Sequence, residues 1–164
     1  MKKISAFFMA LLVMVTVAVA VTAIDARACE PEETDAEILA KIMYTEARGV
    51  GSKTEQAAVA WCVLNRVDHE DYPDTVREVV TQRHQFAWRA SAPVTEELLA
   101  LAQDVLLRYE LEQLGVGEVG RVLPQDYIFF AADGKGHNRF RRVFKGPGQV
   151  YWDWSLESPY IEEI

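Results

Sequence analysis

Cysteine is nearly absent. Cys29 and Cys62 are the two in a chain of 164 residues, too few for a disulfide scaffold or a thiolate metal site. Cys62 stands among Val59, Trp61, Val63 and Leu64, which reads as a small buried thiol; a bridge to Cys29 after export is the alternative. Positive charge is also scarce: 17 Lys and Arg face 25 Asp and Glu, for a net charge of −8. Nucleic acid is therefore excluded as an expected partner, and the acidic excess serves solubility. Internal repeats and low-complexity tracts are missing, which excludes solenoids and linker-like segments.

Long hydrophobic runs are missing too, with one exception. Lys2 and Lys3 precede an almost uncharged run from Ile4 to Ile24, the pattern of a secretory signal or a membrane anchor. Ala26-Arg27-Ala28 has the small-x-small form of a cleavage site, so residues 1–28 are expected to be a signal peptide. The run exceeds the roughly 7–15 residues typical of a signal core and could span a bilayer, which keeps an uncleaved anchor open. Both readings place the rest outside the cytoplasm. Residues 29–164 suffice for one core and leave no room for two.

The mature part opens with helices. Thr34 and Glu37 have the spacing of a capping box, so a helix is expected over 35–48. Ser52 and Glu55 repeat the pattern before Ala57, Ala60, Trp61, Val63, Leu64 and Val67, which implies a central, buried helix. Asp74 is the expected cap of a short helix carrying Val76, Val79 and Val80 inward. Thr95 starts a long helix with Leu98, Ala102, Val105 and Leu106 inside, ending before Gly115. Beyond it the vocabulary turns aromatic and β-branched at Tyr127–Phe130, Arg139–Phe144 and Gln149–Trp152, between Gly-rich turns. The expected class is α+β, mainly α, with a small aromatic-rich β appendage near the C-terminus.

One acid stands out. Ile38, Ile42 and Glu46 follow at a spacing of four, so Glu46 continues an apolar helix face. It also stands near the helix C-terminus, ahead of the stop at Gly49. Lost hydration and the negative end of the helix dipole both favour the protonated acid, which is what a general acid requires. A solvated helix-end Glu, or one paired with Arg48, is the plain alternative. Gln82-Arg-His-Gln-Phe-Ala-Trp88 is an amide and ring cluster suited to lining a sugar groove, or equally a loop packed on the core.

Taken in order, Tyr44-x-Glu46-Ala-Arg-Gly49, Gln56-x-x-Val-Ala60, Val63-Leu-Asn-Arg-Val67, Tyr72-Pro-x-Thr75, Val79-Val80 and Gln85-Phe86 resemble the spore cortex-lytic family of bacterial cell-wall hydrolases. The resemblance covers residues 38–86 closely and the aromatic C-terminal part loosely. It implies a lysozyme-like, mainly helical catalytic domain that cleaves peptidoglycan glycan strands as a monomer, secreted or wall-associated, without cofactor or metal. The membrane would be met only through an uncleaved N-terminal segment. Glu46 matches the family's catalytic glutamate. Gln56, Asn65 and Arg66 match motif positions, as substrate contacts or as structural hydrogen-bond hubs; Gln56 and Asn65, with Gln85, Phe86, Tyr127 and Phe129, are the expected substrate contacts. Two departures stand in the sequence: the turn Val50–Thr54 is one residue longer than the family's, and Asn138 occupies the place of a His before Phe140, with His137 one position early.

Mechanism is then a matter of counting acids. Retaining or inverting glycosidases place a second carboxylate roughly 5–5.5 or 6.5–9.5 Å from the first. Within the matched motifs no second acid lies on an apolar face. The resemblance implies instead a lytic transglycosylase in which Glu46 acts alone; hydrolysis with water as nucleophile, and a wall-binding protein that retains the groove without turnover, are the alternatives.

Overall fold

Thr34 begins the fold by closing its capping box: its hydroxyl accepts from Glu37 N and the Glu37 carboxylate takes the Thr34 backbone N–H at 2.8 Å. In this computed structural model, which describes residues 32–146 and 149–160, helix α1 follows over Asp35–Ala47. Helix α2 spans Lys53–Val67, α3 Val76–Thr81 and α4 Glu96–Gln113. Strands β1 (Phe129–Ala132) and β2 (Asn138–Arg141) close the order. The class is α+β and mainly α. The expected signal or anchor segment, residues 1–28, and Cys29 lie outside the described residues. Among those described, no helix is long and apolar enough to cross a membrane. All of these elements belong to one unit, Glu33–Ile164.

Every residue from Ala57 to Arg66 is buried, so α2 is the centre of the bundle. Its small residues let neighbours approach on several sides: α1, α3 and α4 all pack on it, and α1 also packs on α4 and α3. Ile38, Leu39, Ile42 and Met43 of α1 meet it with no exposed surface. Cys62 is a free thiol buried in this helix, and burial pushes its pKa up to about 12. The thiolate is the reactive form. A Cys29→Ser variant is therefore expected to resist a thiol reagent at neutral pH until it is unfolded; prompt labelling of the native protein would contradict the packing.

Three local expectations change. Thr75 rather than Asp74 caps α3, its hydroxyl accepting from Glu78 N. Ser52 caps α2 through Glu55 N at 3.2 Å, but the Glu55 carboxylate does not turn back to complete a box. The strands also shift: β1 starts at Phe129 and pairs antiparallel with β2, Phe130 opposite Phe140. The third aromatic stretch contributes one bridge, Arg141 to Tyr151, and the Trp152 N–H donated to Phe140 O at 2.9 Å. Pairing partners far apart in sequence set strand limits, which local composition cannot.

Candidate active site

Glu46 is the penultimate residue of α1, half-buried where the Ile38–Ile42 line reaches the surface. Its Oε1 accepts the Ala87 backbone N–H at 2.5 Å. Among the described residues, Oε2 has no hydrogen-bond partner. Arg48 does not curl back: its guanidinium stands over the Tyr44 ring at 5.8 Å, in keeping with positions two apart pointing to different sides of a helix. The segment that supplies Ala87 lies along α1, held at its far end by Lys41 Nζ donating to Ala90 O at 2.5 Å. His84 takes a left-handed φ of 64° in this segment, a conformation costly for a non-glycine residue.

Arg66 gathers the other side. It is buried at 3 % exposure in the last turn of α2. Nε donates to Ile128 O at 2.7 Å and Nη1 to Gln85 Oε1 at 3.1 Å. Its guanidinium lies 4.6 Å from the Phe86 ring centroid, 5.0 Å from Tyr72 and 5.7 Å from Phe129. Three ring faces and two oxygens solvate a cation that has no carboxylate partner among the described residues. Gln85, Phe86 and Phe129, expected separately from sequence, thus meet around one side chain. From Phe86 a line of rings continues through Phe130, Phe140 and Trp154, with centroids 5.4–6.0 Å apart. The Glu46 charge reaches this side too, adding to the upward push on Cys62, one turn before Arg66.

The remaining expected contacts are spent internally. Asn65 is 2 % exposed; its Nδ2 donates to Pro124 O and Tyr127 O, and its Oδ1 accepts from Arg121 Nη1 at 2.6 Å. That amide braces the 121–128 segment on α2, the structural-hub reading of this motif position. Gln56, half-buried, donates Nε2 to Val50 O at 2.9 Å and closes the lengthened turn after Glu46. Tyr127 is buried and stands edge-on to Trp152 at 5.3 Å.

The contacts among Glu55, His137 and Asn138 were not legible in the sequence. Glu55, 5 % exposed, directs one carboxylate oxygen to the Asn138 backbone N–H and the other to His137 Nδ1, 3.1 Å away. The buried Asn138 side chain in turn donates to the Glu46 carbonyl at 3.1 Å. These groups border a cavity of about 240 Å³ that Arg139, Tyr151 and Trp154 also line. The Ser52-x-x-Glu55 spacing hid Glu55 by explaining it as a cap. A larger cavity, about 610 Å³ near Gly117–Arg121 and Leu156–Pro159, contains none of these groups, and its Glu112 and Arg121 pair with each other at 2.5 Å.

A carboxyl with one oxygen fixed and the other free can give and retake a proton, and the neighbouring rings and amide suit a sugar chain. Neither the curated proteins nor the solved structures contain a match to this chain. The family model for Cell Wall Hydrolase matches residues 51–140, more than half of the chain. The matched span takes in Glu55, Arg66, Gln85, Phe86 and the β hairpin as far as Phe140, and it begins just after Glu46. On this match the chain belongs to the cell wall hydrolase family.

Proposed function

We propose that this protein cleaves the glycan strands of peptidoglycan with Glu46 as its one catalytic acid, as a lytic transglycosylase. The observation that carries the reading is the Glu46 carboxyl, half-buried, anchored through Oε1 on Ala87 N–H and with no partner for Oε2 among the described residues. Glu46 gives its proton to the glycosidic oxygen as the bond to muramic acid C1 breaks. The muramic acid 6-hydroxyl then attacks C1, and its proton returns to the Glu46 carboxylate. An anhydro ring closes and no water is consumed. The state of Glu55 is consistent with a single acid: it is buried and both its oxygens are hydrogen-bonded, by Asn138 N–H and by His137, as a structural carboxylate is. Gln85, Phe86 and Phe129, grouped on Arg66, are the proposed glycan contacts.

The lysozyme-like character of the domain and export through the N-terminal apolar run belong to the same proposal. The motif resemblance supports spore cortex as the wall attacked. Mass spectrometry of muropeptides released from purified cortex and from vegetative walls tests both points. Ends lighter by one water are expected, with faster release from cortex. Fully hydrated, reducible ends would establish hydrolysis with water as nucleophile. Equal or greater release from vegetative wall would remove the cortex assignment.

A further inference from the structure

We propose that Glu55 is a positioning residue of the active site, holding the backbone of Glu46 through Asn138 and depending for that hold on a charged partner, His137. The inference rests on the assignment of Glu46 as the catalytic acid.

A Glu three residues after a Ser cap ordinarily returns its carboxylate to the cap's own N–H. Here Glu55 reaches across 83 residues to the Asn138 backbone N–H instead, while Ser52 caps the helix alone. Burying a carboxylate is costly unless it is hydrogen-bonded and paired, and this one meets both conditions through Asn138 and His137. The last carbonyls of a helix lack partners within it. The carbonyl of Glu46 itself is met by Asn138 Nδ2. The same strand pair carries Phe129, which faces Arg66, so its seating governs the acid and the ring wall together. The hairpin tip lies beside the turn after α1: a Cβ on Gly136 would sit at ordinary van der Waals distance, 3.9 Å, from Gly49 O, and the φ of +93° there favours glycine.

Protonation enters through His137, whose side chain is 66 % exposed. The hydrogen bond to Glu55, then its charge, raise the His137 pKa above its ordinary 6.5, with a smaller contribution from Asp133. Facing the Glu55–His137 pair are Asp133 and Arg139 from the hairpin and Tyr151 from the C-terminal stretch, with the Lys135 charge acting on Asp133. The ion pair is complete below the ordinary value of the imidazole. It is lost as pH rises through the raised one.

The test measures release from wall material across pH, with melting temperatures, for Glu55→Gln, His137→Ala and the double variant, beside Glu46→Gln. Glu55→Gln keeps an oxygen for Asn138 N–H, and His137 is exposed, so both are expected to fold. Turnover should fall roughly 10–10²-fold, the scale of a misplaced catalytic group, with KM little changed. The wild-type alkaline step due to His137 should vanish in both single variants, and the double variant should lose no more than either. Wild-type turnover and pH profile in Glu55→Gln and His137→Ala, with Glu46→Gln inactive, would overturn this inference alone. So would losses that simply follow melting temperature. Activity in Glu46→Gln would instead remove the catalytic assignment on which it rests.

Discussion

Glu46→Gln is expected to release wall fragments at least 10²–10⁴-fold more slowly than wild type, about the contribution of general acid–base catalysis. The substitution keeps the shape of the side chain and an oxygen that can accept the Ala87 N–H, now 2.5 Å from Oε1. The segment along α1 should therefore stay seated, and only the proton is lost. Melting temperature should stay level or rise, because a half-buried carboxyl at a helix C-terminus trades stability for function. Asp71 and Asp74 are exposed; Asp71→Asn and Asp74→Asn should remain close to wild type in the same assay. Wall clearing by Glu46→Gln at the wild-type rate would end the catalytic assignment and favour a protein that binds wall without cutting it.

Arg66→Ala should damage stability and activity together. It strips the donor from Ile128 O and from Gln85 Oε1 and opens space between Tyr72, Phe86 and Phe129. The unsatisfied buried carbonyl of Ile128 and a new cavity together cost on the order of 2–5 kcal/mol, to be read from the denaturant midpoint. Arg66→Lys separates charge from shape. A lysine keeps the cation but has no planar face to stack and cannot reach both oxygens with fixed geometry. Its stability loss should be smaller than that of alanine, while turnover should fall nearly as far, since Gln85 and Phe86 lose their common anchor. Wild-type behaviour of Arg66→Lys in both measurements would show that the charge alone matters and refute the stacking argument.

What could be read from the chain follows the range of the interactions involved. The starts of α1, α2 and α4 were legible because Thr34, Ser52 and Thr95 accept from the N–H three residues on, within one turn. The burial of α2 was legible because a run of small and apolar residues has few other uses, and Glu46 because helical spacing alone sets it on the Ile38–Ile42 line. Three polar residues of α2 were not. Asn65 and Arg66 are adjacent in one motif, yet one braces the 121–128 segment and the other holds the ring cluster. Glu55 passes for a cap until the hairpin is in place. The sequence by itself determined the helices, their buried faces and the acid at the end of α1, since caps and periodicity act between neighbours. Only the tertiary structure decided which oxygen of Glu46 is held, which rings share Arg66 and where Glu55 points, because each depends on partners that folding brings from 19 to 83 residues away.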